Sequence, residues 1–221
     1  ASAPERSPFA DSAPADAVAE EKDPANALLH RMPLRRLEGE AIRDALLFVS
    51  GGLDKTLFGP SVPIHLTPFM EGRGRPEKSG RLDGLGRRSI YVEVRRNFLS
   101  PMMLAYDTPL PFTTVGRRTS SNVPAQALTL LNDPFVLEQA GNLAKRLCAG
   151  EPASLPERLT RLYQIVFGRP PSDFELPQGL AFLRQQAETY GAPASDQFPD
   201  LRVWADLCHV LFNAKEFVFI N

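Results

Sequence analysis

"DPFVLEQAGNLAKRLC", residues 133–148, sets the fold class. Asp133-Pro134 is a helix opening, with proline in the first turn, where its missing N–H costs nothing. Val136, Leu137, Ala140, Leu143, Ala144 and Leu147 then recur at helical spacing, so the stretch predicts an amphipathic helix to about Cys148. The same reading extends downstream. Leu155 to Phe167 forms a second helix, stopped by Gly168. Ser172 and Glu175 make a capping-box pair opening a third helix to about Tyr190, with Pro177 in its first turns. Pro199 opens the last helix, whose apolar positions include Leu201, Trp204, Leu207, Cys208, Leu211 and Phe212. "EFVFIN", residues 216–221, reads as an extended apolar tail that docks, because its large side chains would otherwise face water.

Upstream, Asn122 is placed to cap a helix carrying Pro124, and Ser100-Pro101 to start a short helix through Tyr106. A further helix starts near Pro33 and carries Leu34, Leu37, Ala41, Ile42, Ala45, Leu46 and Val49 as one stripe, with Arg43 and Asp44 off it. Gly51-Gly52 stops it. Residues 53–88 are glycine- and proline-rich irregular chain, and "TPLPFTTVGRRTSSN", 108–122, is a second such loop. Loops this long are functional or pinned by their own contacts. Ser89 to Val94 alternates, predicting a half-buried strand with Ile90, Val92 and Val94 on one face. The expected fold is mainly α: a compact multi-helix domain with a small β element and two long ordered loops. Residues 1–24, rich in Ala, Pro, Ser and Asp, read as a flexible linker, and 25–221 as a single helical domain. The opening resembles an interior linker, so the chain is expected to be a piece of a longer protein.

The net charge of −1 argues against general nucleic-acid binding, and no apolar run is long enough to span a membrane. Charge is uneven, however. From Glu71 to Arg118 there are ten basic and five acidic side chains, a local +5. Arginine outnumbers lysine 20 to 5, which favours fixed forks on carboxylate, phosphate or sulfate over solvated point charges. Arginines are doubled at 35–36, 87–88, 95–96 and 117–118. Cys148 and Cys208 fall on helical apolar stretches and read as buried thiols, with a disulfide as the alternative. No metal-ligand spacing occurs.

Several long stretches together are similar to one family. They are "RRLEGEAIRDALLFVSGGLD", "LTPFMEGRGRPEKSG", the run from Gly86 to Ala140, "RLYQIVFGRPPSDFEL" and "WADLCHVLFNAKEFVFIN". They resemble the domain of unknown function 1553, the C-terminal domain of large exported planctomycete proteins. The resemblance covers about Asp23 to Asn221; Pro177 departs from it, standing where members more often have a helix former. It implies an extracytoplasmic (periplasmic or secreted) location and, as partners, upstream domains of the same polypeptide, commonly a cytochrome-c-like segment. Any haem would belong to that upstream part, so no cofactor is expected in this domain. The family supplies no reaction and no catalytic residues.

Three readings of the arginines follow. In the first, the domain is a non-catalytic or unassigned structural and interaction module, and the arginines pair with Glu71, Glu93, Asp107, Glu138 and backbone carbonyls to hold the loops. Asn122, Gln126, Asn132 and Gln139 then serve as caps and anchors. In the second, Arg73, Arg75, Arg87, Arg88, Arg95, Arg96, Arg117 and Arg118 converge to bind a sulfated or carboxylated polysaccharide, with Tyr91, Tyr106 and Phe112 available for stacking. In the third, Glu71, Glu93 and Asp107 meet as the carboxylates of a glycan hydrolase, with His65 as base and Thr119, Ser120 or Ser121 as nucleophile. No signature such as G-x-S-x-G supports the third.

Overall fold

The computed structural model describes residues 17–149, 154–191 and 200–220. The chain is mainly α-helical with one two-stranded sheet. Helices α1 (Ala17–Lys22), α2 (Gly39–Ser50), α3 (Pro101–Ala105), α4 (Pro124–Asn132), α5 (Pro134–Cys148), α6 (Leu155–Phe167), α7 (Glu175–Thr189), α8 (Leu201–Phe212) and α9 (Lys215–Val218) are joined by the strands β1 (Arg35–Arg36) and β2 (Phe219–Ile220). Of the expected linker, residues 1–16 lie outside the described residues and Ala17–Lys22 is helical.

The core is built on α5 and α8, the most extensively packed helix pair, with α2, α6 and α7 around them. Val136, Leu143 and Ala144 of α5 meet Val203, Trp204, Cys208 and Phe212 of α8 in one cluster, all essentially inaccessible. Leu137, counted on this face from sequence, is instead largely exposed. Local chemistry sets the helix ends. Asp133 accepts from Phe135 N at 2.9 Å to open α5, and Gly168 at φ 74° closes α6. Ser172 and Glu175 bond reciprocally at the start of α7, and Pro177 is its third residue, where a backbone N–H would have no helical partner. Asp200 caps α8; Pro199 lies outside the described residues.

Four expectations are corrected. The first long helix begins at Gly39, not near Pro33: Arg35 and Arg36 are extended and pair antiparallel with Ile220 and Phe219. That pairing docks the tail, which is a helical turn, α9, followed by a strand rather than extended throughout. Ser89–Val94 is not a half-buried strand. Ser89–Tyr91 is a 3-10 turn, Val92 makes an isolated bridge to Val62, and Ile90 and Val94 face solvent. A two-residue period carries no information unless a neighbouring strand takes the ladder hydrogen bonds. The cap of α4 is Val123 rather than Asn122, with Gln126 Oε1 accepting from Val123 N at 3.4 Å.

The long loop 51–100 packs on itself and against the chain just past α2 through backbone proximity that only glycine permits. A Cβ on Gly80 would stand 2.0 Å from Pro63 O, and one on Gly86, at φ 71°, 2.2 Å from Gly52 O. Cys148 and Cys208 are free thiols, and burial pushes both up.

Candidate functional site

Four arginines hold the two long loops together and fasten them to the rest of the domain. Arg43 leaves α2 buried at 6% exposure, donating to Arg87 O (2.9 Å), Asp83 O (2.7 Å) and Ser89 Oγ (3.2 Å). Its guanidinium also lies 5.3 Å over the Phe135 ring. Arg87 grips the preceding turn through Thr56 O (2.7 Å) and Phe58 O (2.5 Å) and lies 4.1 Å over the Tyr91 ring. Tyr91 Oη accepts from Phe58 N at 2.8 Å, so both sides of the Phe58 backbone are held. Arg118, from the second loop, bonds both oxygens of Glu40 at 2.8 Å, Glu38 at 3.0 Å and Thr108 Oγ1 at 3.2 Å. Arg36, buried beside Tyr106, meets Asp107 at 2.6 Å. Asp107 also accepts from Ser121 N and Oγ, and these donors together with Arg36 hold its carboxyl below the usual carboxylate range against the opposing effect of burial.

The doubled arginines therefore divide. Arg36, Arg87 and Arg118 point inward and are bonded; Arg35, Arg88 and Arg117 point outward. Arg88 keeps a surface contact to Asp44 at 3.2 Å. The fourth doublet is exposed on both members, with Arg95 paired to Glu93 at 2.8 Å. Arg73, Arg75, Arg96 and Arg117 are exposed, with no ion pair among the described residues, and so are Glu71 and Glu138. Asn97 Nδ2 donates to Arg73 O at 3.5 Å, which brings the turns carrying Arg73, Arg75 and Arg96 side by side.

The loops so held enclose a cleft of about 220 Å³ over the starts of α3 and α5. Its walls are mostly apolar, including Ile64, Leu82, Val92, Met102 and Phe135. His65, Asp133, Glu40 and Glu93 supply polar groups. Burial pushes the Asp133 carboxyl up, opposed by its bonds to the start of α5 and by His65. Of the three carboxylates considered for glycan hydrolysis, Glu93 alone lines this cleft: Glu71 stands on an exposed turn and Asp107 is engaged by Arg36 and Ser121. His65 is in the cleft, while Thr119 and Ser120 are exposed. Tyr106 is buried, with its hydroxyl on Gln126 O at 3.1 Å and pushed up to about 12 by burial; Phe112 is exposed. Gln126 Nε2 donates to Ser121, and Gln139 Oε1 accepts from Ser50 at 2.8 Å. Asn132 Nδ2 donates to Leu128 O at 2.9 Å.

Sequence reasoning missed three anchors. Arg43 fell off the apolar stripe, and Arg36 was counted only as half of a doublet. Arg169 was not considered; it ties Glu175 of α7 (2.7 Å) to Glu216 of α9 (2.6 Å). The lone arginine after the Gly168 helix stop, with Glu175 six residues on, was the available signal.

A braced, mainly α module of this kind defines a class by architecture and not by reaction. The chain belongs to the family described as PSD1, Protein of unknown function (DUF1553), whose model matches residues 8–183. No curated protein and no solved structure matches it. Among the described residues, no helix is long and apolar enough to cross a membrane.

Proposed function

We propose that the domain is a non-catalytic interaction module of a larger, exported polypeptide, and that its arginines serve its own architecture. One observation carries this reading: Arg36, Arg87 and Arg118 all engage the protein's own carboxylates and carbonyls. The loops they brace present large apolar side chains to solvent. Phe58 (80% exposed) and Leu85 (55%) are both at positive φ, a conformation bulky residues adopt only when their surroundings impose it. A rigid apolar surface suits contact with another domain, and the family resemblance points to the upstream domains of the same chain. Export rests on that resemblance alone.

The test is thermal. Arg118→Ala strands Glu40 and Glu38 beside the second loop, a cost of about 1–3 kcal/mol, so its melting temperature falls. Heparin leaves the wild type unprotected. The second reading, binding of an anionic polysaccharide, draws on the uncommitted Arg73, Arg75 and Arg96. On that reading heparin raises the melting temperature in a salt-sensitive way, and replacing those three by serine abolishes the rise. That outcome would displace the first reading.

A further inference from the structure

We infer that the cleft over the starts of α3 and α5 is a binding site for a small aromatic amine, its ring on the apolar wall and its ammonium donating to Asp133. Size sets the first limit. A cavity of about 150 Å³ lined by aliphatic and aromatic side chains holds benzene, so 220 Å³ admits one ring with a substituent of two or three atoms. That is below the roughly 300–1,000 Å³ of sites for drug-sized ligands. The walls offer Ile64, Leu82, Val92, Met102 and Phe135 to such a ring.

The polar groups set the second limit. Most charges around the cleft are already matched: Arg43 on carbonyls and Ser89, Arg81 on Asp83 at 2.8 Å, Glu40 on Arg118 and Glu93 on Arg95. Asp133 has no lysine or arginine ion pair among the described residues. One of its oxygens caps α5, and its charge neighbour in the cleft is His65. His65 is held in place at the cleft by the contact of its Nδ1 with Gly80 O at 3.1 Å. A carboxylate without a lysine or arginine partner in a mostly apolar cleft calls for a cationic donor. An ammonium supplies up to three N–H groups and the charge that the desolvated Asp133 carboxylate is missing. A carboxylate or phosphate ligand would meet repulsion there.

Titration of the intact chain with 2-phenylethylamine, followed by calorimetry and by amide shifts, tests this against neutral 2-phenylethanol and anionic 3-phenylpropionate. The amine should saturate the site with Kd at least about tenfold below that of the alcohol, and the anion should not bind. Asp133→Asn retains a good helix cap; it should abolish the preference for the amine and leave the alcohol unchanged. Val94→Trp adds bulk at the cleft from a residue that is 69% exposed; it should weaken both ligands while the fold melts as the wild type does. Equal binding of amine and alcohol, tighter binding of the anion, an amine affinity unaffected by Asp133→Asn, or no saturable amide shifts at the cleft would each overturn the assignment.

Discussion

Replacing Arg87 by alanine should loosen the first long loop and lower global stability together. Arg87 is 8% exposed, and its guanidinium reaches the 54–59 turn through hydrogen bonds to Thr56 O and Phe58 O, with the Asp54 carboxylate 3.6 Å away. Hydrogen bonds from a charged donor contribute about 1.5–3 kcal/mol each, and the stacking on Tyr91 adds about 0.5–1 kcal/mol. Water can reach part of the exposed turn and offsets some of the loss, which leaves a net cost of about 3 kcal/mol. For a chain of this size each kcal/mol lowers Tm by roughly 2–4 °C, so the variant should melt about 6–12 °C lower. The neighbour is the control. Arg88 is half-exposed on a surface pair with Asp44, and such pairs are worth about 0–1 kcal/mol, so Arg88→Ala should barely shift the melt. Hydrogen exchange adds a local reading. The Phe58 amide donates to Tyr91 Oη, and its protection should fall in Arg87→Ala but persist in Arg88→Ala. Should Arg87→Ala melt within two degrees of the wild type with Phe58 still protected, or should Arg88→Ala prove the more damaging, the bracing role of the inward arginine is wrong.

Removing residues 217–221 should destabilise the domain by several kcal/mol, since Phe217 and Val218 are both under 10% exposed and each buried large side chain contributes about 1.5–3 kcal/mol; an unchanged denaturant midpoint would show that the tail is not part of the core. The Arg169 bridge should make stability depend on acid. Glu175 is held at about 2, below its ordinary 4.5, chiefly by its bonds to Arg169. A carboxyl lowered on folding contributes stability that is complete above its unfolded value and is lost as pH falls through the folded one. The Glu175 contribution, about 2 kcal/mol once exposure of Arg169 to solvent is allowed for, should therefore fade between about pH 4.5 and 2. Glu175→Gln should lower the melting temperature at pH 7 and melt like the wild type near pH 2; an equal deficit at both pH values would assign the effect to packing.

The amino-acid sequence by itself determined the helical body. α5 begins where Asp133 and Pro134 dictate and α6 ends at Gly168, because a helix is closed by bonds spanning four residues and its caps lie within the same few positions. The family was likewise legible in contiguous motifs. Elements made by distant partners were not. Arg35–Arg36 follows helical periodicity until Phe219–Ile220 arrives from the other end of the chain and takes its backbone bonds. Ser89–Val94 alternates as a strand would, yet among the described residues only Val62 bridges to it, so the segment turns and Ile90 faces water. The arginine doublets did not tell which member would point inward (in 95–96 neither does) or which carboxylate or carbonyl each would meet. Arg43 gave no sign of being buried, because what covers it is loop backbone from Asp83 and Arg87, some 40 residues away. The cleft with His65 and Asp133 is likewise a product of tertiary structure. Those residues lie 68 positions apart and share a cavity because the long loop folds back over the start of α5, with close backbone approaches at Gly80 and Gly86.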